Sequence, residues 1–129
     1  AGKVLAEQQK GNDILLVPAQ FGRRFRGLSA APTRSVLTRR EFGLGAFAVG
    51  CMLLTHPERL TDDYDLAVGC VGDVCSPLND VHRSHGHFRW PSFSYDRGRI
   101  GFHFSCDGVD FDSHGHATGF LPLLLPSEC

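Results

Sequence analysis

The strongest constraint on the fold is an alternation of apolar and polar residues on both sides of the turn sequence Asp96-Arg97-Gly98. Phe88, Trp90, Phe93 and Tyr95 precede the turn, and after it Ile100, Phe102, Phe104 and Cys106 alternate with Arg99, Gly101, His103 and Ser105. Alternation with a period of two is typical of strands that bury one face, so the pattern predicts a β-hairpin. His103 should lie on the face opposite the phenylalanines.

Other short segments complete the expected architecture. Pro91 predicts an edge or bulged first strand, because proline has no N–H to donate. Residues 1–9 are good helix formers, residues 14–17 and 66–71 are apolar runs that predict strands, and residues 28–33 indicate a linker. We expect one α+β domain over residues 1–129, with N-terminal helices packed on a small, mostly antiparallel β-sheet. Residues 1–57 would form a basic, mostly helical part and residues 58–129 a His/Cys-rich β part.

Residues 38–54 support two interpretations. Thr38 and Glu41 stand three residues apart before an apolar run, which is the capping-box pattern and predicts a buried helix from Thr38 to about Leu54. The same run, Thr38-Arg39-Arg40-Glu41-Phe42 followed by apolar residues, resembles a twin-arginine export signal. Its apolar part, about twelve residues, is too short to span a bilayer, so no transmembrane segment is expected.

Charge is distributed unevenly along the chain. The net charge is −1, yet residues 1–40 carry eight Lys/Arg against two Asp/Glu, and residues 41–129 carry five against twelve. Either the two parts attract each other in the fold, or the basic arm meets an anionic partner. The run Phe21-Gly-Arg-Arg-Phe-Arg-Gly27 is either a phosphate contact or a turn with solvated arginines, and nucleic acid is the less favoured partner.

The chain has five cysteines, so at least one is free or paired between chains. Cys70 and Cys75 close a short loop and are candidates for a disulfide, which favours an oxidising compartment. Cys70 is alternatively a candidate nucleophile with a downstream histidine as its base. Because the first residue is Ala1, we expect a processed product or an excised domain. The cysteines and the resemblance to an export signal lead us to expect a secreted or periplasmic location.

Two polar clusters flank the hairpin. The first contains His82, His85 and His87. On an extended segment, His85 and His87 project to the same side and are therefore candidate ligands for one zinc or copper ion.

The second polar cluster contains three carboxylates and two histidines within ten residues: Asp107, Asp110, Asp112, His114 and His116. Carboxylates bind a hard cation such as magnesium, and a histidine exchanges protons near neutral pH, so this set suits hydrolysis of a phosphate ester or anhydride. A two-histidine, one-carboxylate set for zinc or iron is the other option.

The sequence from Asp107 to His116, Asp-x-x-Asp-Phe-Asp-x-x-x-His, resembles the catalytic stretch of colicin M-type bacteriocins. The resemblance implies magnesium-dependent cleavage of a lipid-linked cell-wall precursor in the periplasm, with Asp107, Asp110 and His116 in the family's acidic and histidine roles. It covers about ten residues, and Val109 and Ala117 replace the tyrosine and arginine that the family has at these positions.

The favoured hypothesis is a small secreted hydrolase that acts on an anionic, phosphate-containing small molecule or lipid-linked substrate with a divalent metal. Asp107 and Asp110 would hold the metal or polarise the substrate, and His116 would be the general base or acid. His85, His87, Asp112 and His114 are predicted as metal ligands. The first alternative is an exported protein that binds zinc or copper through His85, His87, His114 and His116 and catalyses nothing. The second alternative is a cysteine-nucleophile enzyme using Cys70.

Overall fold

The computed structural model describes residues 2–11, 13–14, 16–73, 89–106 and 113–122. Within them the chain forms three helices and two small sheets, which confirms the α+β class. The helices are α1 (Gly2–Gln8), α2 (Ala30–Val36) and α3 (Ala46–Thr55), with 3-10 turns at Arg23–Phe25 and Pro57–Arg59. The strands are β1 (Ala19–Gln20), β2 (Glu41–Gly43), β3 (Ala67–Gly69), β4 (Arg89–Asp96), β5 (Arg99–Cys106), β6 (His114–His116) and β7 (Thr118–Phe120).

The first sheet joins the two ends of the chain. Its order is β1-β7-β2, and both outer strands run antiparallel to β7. The front part of the chain therefore contributes two strands as well as the three helices described above. The backbone contact continues beyond β7, where the Leu121 N–H donates to the Arg40 carbonyl at 2.7 Å.

The second sheet contains the predicted hairpin. Its order is β5-β4-β3-β6, and every pairing is antiparallel except β3 with β6. The hairpin ladder runs without interruption from Arg89 opposite Cys106 to Asp96 opposite Arg99. The two turn residues have positive φ, 52° at Arg97 and 82° at Gly98. Positive φ at both positions matches the right-handed twist of the strands, so the hairpin prediction is confirmed.

Pro91 lies in an internal strand, so the edge-strand prediction is wrong. β4 pairs with β5 on one side and β3 on the other. The missing N–H falls opposite Cys70, just past the end of β3. The Cys70 N–H donates to the Pro91 carbonyl at 2.8 Å, while the Cys70 carbonyl accepts from the Asp73 N–H at 3.0 Å. The proline is tolerated because a turn supplies the donor that it lacks.

The capping box at Thr38 and Glu41 is also wrong. Glu41 begins β2, and its buried carboxylate accepts hydrogen bonds from the Thr118 hydroxyl at 2.8 Å and from Arg24 Nε at 3.0 Å. Helix α3 begins at Ala46, whose N–H donates to the Asp73 carboxylate at 2.7 Å. A carboxylate from a distant segment thus replaces the local cap.

Two predictions for the front part are wrong as well. The described residues of the 14–17 run are not in a strand, and Ile14 and Leu16 are 77% and 73% exposed. The Leu16 N–H donates to the Gln9 side chain at 2.6 Å, which in turn donates to the Leu16 carbonyl at 2.7 Å. Residues 30–33 of the predicted linker belong to helix α2.

The core lies between α3 and one face of the second sheet. Val49 and Leu53 of α3 pack with Val68 and Cys70, and Phe93 of β4 packs against this cluster. The expected burial of the β5 phenylalanines is incomplete: Phe102 and Phe104 are each 51% exposed, because β5 is the edge strand. No helix among the described residues has the length and apolar character needed to cross a bilayer.

Candidate functional site

The second sheet aligns one residue from each of its four strands: His103, Ser92, Gly69 and His116. Ser92 pairs with both His103 and Gly69, and Gly69 pairs with His116. Paired residues project to the same side of a sheet, so these positions share one face, opposite the face that packs on α3. His114, two residues before His116, projects to the same side. We call these five residues the histidine face.

His116 is seated tightly on this face. Its side chain is fully buried, and its ring packs edge-on against Trp90 with a centroid distance of 5.2 Å. A Cβ at position 69 would collide with Nδ1 of His116 and would lie 2.5 Å from its Cε1. Glycine at 69 is therefore required, because only a residue without a side chain leaves space for the ring.

Both ring nitrogens of His116 lack a hydrogen-bond partner among the described residues. Burial lowers the pKa of His116 to about 4, and the charges of His114 and Arg34 act in the same direction. The nearby Gly69 backbone raises the pKa of His116, but it forms no hydrogen bond with the ring. The imidazole is consequently neutral at pH 7, with one nitrogen lone pair available.

His114 is partly buried beside it. Its Nδ1 lies 3.3 Å from the hydroxyl of Ser113. Burial lowers the pKa of His114, and the charge of His103, which is exposed on the same face, lowers it further. Two imidazoles with lowered pKa values thus project from one three-residue strand.

The chemistry of this pair favours metal ligation over proton transfer. A buried polar atom without a partner costs about 1–3 kcal/mol, so an ion that occupies the lone pair would stabilise the fold. A base with a pKa of about 4 is a weak proton acceptor at neutral pH. Two histidines alone are an incomplete ligand set, and the described part of the chain contains no group of three or more His, Cys, Asp or Glu side chains placed for a metal.

The structure brings together only part of the predicted site. His114 and His116 share a face, whereas the remaining predicted site residues lie outside the described ranges: His85, His87, Asp107, Asp110 and Asp112. The roles predicted for these five residues therefore stay predictions.

The geometry opposes a nucleophilic role for Cys70. The residue is fully buried, and its burial, assisted by the nearby charge of Asp73, raises the pKa of the thiol to about 12. A thiolate is the reactive form, so this thiol is unreactive at neutral pH. Of the described cysteines, Cys70 is a buried free thiol and Cys51 an exposed one. Cys75, the predicted bridge partner of Cys70, lies outside the described residues.

A second polar feature is a cavity that lies beside Ser113, the residue before β6, and we call it the arginine-lined cavity. Its volume is about 650 Å³, and its walls include Arg23, Arg26, Arg59 and Ser113. The Phe21–Gly27 run thus divides: Arg23 and Arg26 line the cavity, while Arg24 forms an ion pair with Glu41. The sequence analysis missed Arg59, which is distant in sequence from that run and carries no motif.

The described residues define a small α+β protein with a pair of neutral histidines on one sheet face and an arginine-lined cavity nearby. Comparisons with protein-family models, with curated proteins and with solved structures found no match to this chain.

Proposed function

We propose that this chain is a metal-binding protein that holds a divalent transition metal, zinc or copper, through His114 and His116. The observation that carries the proposal is the state of His116, which is buried, neutral and without a hydrogen-bond partner among the described residues. Zinc and copper bind the neutral imidazole. The spacing of two residues along a strand provides the second imidazole on the same side.

Zinc sites usually have four ligands, so two more groups are required. The sequence offers His85, His87 and Asp112 as the candidates, as expected from their residue types. In this proposal, the Gly69 backbone and the Trp90 ring orient the His116 imidazole, as supporting groups around metal ligands do elsewhere.

The proposal is tested by titrating metal-free protein with zinc and with Co²⁺, whose visible spectrum reports the coordination geometry. One ion per chain with a tetrahedral Co²⁺ spectrum is expected. His114→Ala and His116→Ala should each weaken binding by about tenfold or more. His56→Ala is the matched control, because His56 is exposed and distant in sequence from β6. Unchanged affinity in both β6 variants would exclude the site.

Hydrolysis of a phosphate-containing substrate is the second candidate function, and the arginine-lined cavity favours it because arginines bind phosphate groups. Here Asp107 and Asp110 would hold magnesium, and His116 would support the site rather than act as the general base or acid. The resemblance to colicin M-type bacteriocins would make a lipid-linked cell-wall precursor the substrate. Magnesium-dependent cleavage of bis(p-nitrophenyl) phosphate that Asp110→Ala abolishes would support this function. Turnover unchanged in Asp110→Ala and His116→Ala would contradict it.

We also propose that the protein is exported, so that it acts in a secreted or periplasmic location. The support is the pair Arg39 and Arg40, which are exposed and precede Phe42 and the apolar helix α3. A reporter fused to residues 1–60 should appear in the periplasm. The same fusion with both arginines replaced by lysine should remain in the cytoplasm.

A further inference from the structure

We propose that the arginine-lined cavity is a binding site for a small phosphate ester whose organic part carries hydroxyl or amino groups. The phosphate would lie against Arg23, Arg26 and Arg59, and the organic part would lie against the acidic wall of the same cavity. By the acidic wall we mean the acidic side chains that line the cavity, Glu58, Asp63 and Asp65, and by the basic wall its three arginines; Tyr64 also lines the cavity. The inference is independent of the metal proposed at His114 and His116.

Arg59 provides a fixed positive group in the basic wall. Its Nη2 donates to the Phe21 carbonyl at 2.8 Å, and its guanidinium lies over the Phe21 ring, 5.8 Å from the centroid. Burial lowers the pKa of Arg59, and the charge of Arg23 lowers it further, while the charge of Asp65 raises it. The two guanidinium groups therefore repel each other, and an anion placed between them would relieve that repulsion.

The segment that carries Arg23 is held rigidly against β6. Gly22 has a φ of 104°, and a Cβ there would lie 2.6 Å from the carbonyl oxygen of Gly115. The Gly27 N–H donates to the His114 carbonyl at 2.8 Å. Because both ends of the turn are fixed to one strand, the basic wall is preorganised and binding requires little ordering.

Of the three carboxylates in the acidic wall, two have partners and one is open. Glu58 lies 3.2 Å from Nδ1 of His56. Asp65 accepts hydrogen bonds from the N–H groups of Thr61 at 2.8 Å and Asp62 at 3.0 Å, so its charge stabilises its own loop. Asp63 is exposed and has no hydrogen-bond partner among the described residues. It is therefore available to accept hydrogen bonds from hydroxyl or amino groups. Tyr64, 97% exposed, offers a ring face for stacking.

The size and charge of the cavity decide between ligand classes. A volume of about 650 Å³ is within the range of small-molecule sites and exceeds what a phosphate ion alone would fill. A nucleic acid strand would bring successive phosphates toward three carboxylates, which would repel them. A compact ester with a single phosphate group satisfies both walls.

The test is calorimetric titration, in EDTA at low ionic strength, with ribose 5-phosphate, ribose, inorganic phosphate and a single-stranded DNA oligomer. EDTA excludes binding through a metal ion, so the result does not depend on the histidine site. Ribose 5-phosphate should bind more tightly than inorganic phosphate, and ribose should not bind measurably. Failure of the wild-type chain to bind ribose 5-phosphate, or tighter binding of DNA than of ribose 5-phosphate, would overturn the proposal.

Three single substitutions locate the site. Arg23→Gln should weaken ribose 5-phosphate binding about tenfold, the effect of losing one charge-assisted hydrogen bond. Arg97→Gln is the matched control, because Arg97 lies at the hairpin turn with its side chain 90% exposed, and it should have no effect. Asp63→Asn should strengthen inorganic phosphate binding by about twofold to fivefold and reduce the advantage of the ester. Equal losses in Arg23→Gln and Arg97→Gln would mean nonspecific charge attraction and would refute the site.

Discussion

Replacing Gly69 by alanine would place a methyl group against the ring of His116. The new Cβ would collide with Nδ1 and would lie 2.5 Å from Cε1 and 3.0 Å from Cγ. Favourable contacts between carbon atoms occur at about 3.5–4.0 Å. The ring has no space to retreat, because it is fully buried and Trp90 packs against it. Either the imidazole or the β3 backbone must move.

The cost of Gly69→Ala should come from this steric overlap alone. The φ angle of Gly69 is not in the left-handed region, so alanine adopts the same backbone without strain. Overpacking a core costs about 1–3 kcal/mol, and the lower entropy of the unfolded alanine chain returns about 0.4–1 kcal/mol. We expect the free energy of unfolding to fall by about 1–2 kcal/mol.

Urea unfolding at pH 7 measures this change, and the same sheet provides the control. At Gly101 of β5 an added Cβ would meet only the Ser94 carbonyl oxygen, at 3.9 Å, so Gly101→Ala should not lower the free energy of unfolding and should raise it by up to about 1 kcal/mol. In the double variant Gly69→Ala/His116→Ala the overlap disappears, so Gly69→Ala should there cost nothing and should add up to about 1 kcal/mol. Equal costs of Gly69→Ala with and without the imidazole would refute the packing of His116 on Gly69.

Three further predictions concern buried polar groups. Glu41→Ala should lower the free energy of unfolding by about 1–3 kcal/mol, because the buried Thr118 hydroxyl loses its acceptor; a change below about 0.5 kcal/mol would contradict this. The pKa of His116 falls from its ordinary 6.5 to about 4 on folding, so the unfolded chain binds more protons between these values. The free energy of unfolding should therefore decrease as the pH falls from 6.5 toward 4, by up to about 1.4 kcal/mol per pH unit. In urea unfolding at pH 5, 6 and 7, the free energy of unfolding of His116→Leu should depend less on pH than that of the wild-type chain. Iodoacetamide should modify Cys51 in the folded protein and Cys70 only in denaturant, as mass spectrometry of the labelled peptides would show.

The parts of the fold that were predicted correctly depend on neighbours in sequence. The hairpin needed only the period-two pattern and a turn sequence that accepts positive φ at Arg97 and Gly98. The opposite orientation of His103 and the phenylalanines follows from the same alternation. The helix at the N-terminus was recognisable from its composition, and α1 (Gly2–Gln8) confirms it.

The candidate site was only partly predictable. His114 and His116 were identified because they stand within ten residues of three carboxylates, but only the structure shows that they lie on one strand and share a face. The burial of His116 depends on Trp90 and Gly69, which belong to strands far from it in sequence. The meeting of Arg59 and Arg23 in one cavity likewise results from tertiary packing.

By itself, the sequence determined the local elements whose stabilising interactions lie within a few residues: the hairpin, its turn and the first helix. Tertiary structure decided every case in which a distant group offered a better interaction than a near one. Glu41 does not cap a helix, because β7 and the Thr118 hydroxyl provide it with a strand partner and a donor. Asp73 caps α3 from a loop 27 residues away in sequence. Local patterns compete with such contacts. A buried hydrogen bond between distant residues prevails, because leaving its polar groups unpaired would cost more free energy than a local helix cap contributes.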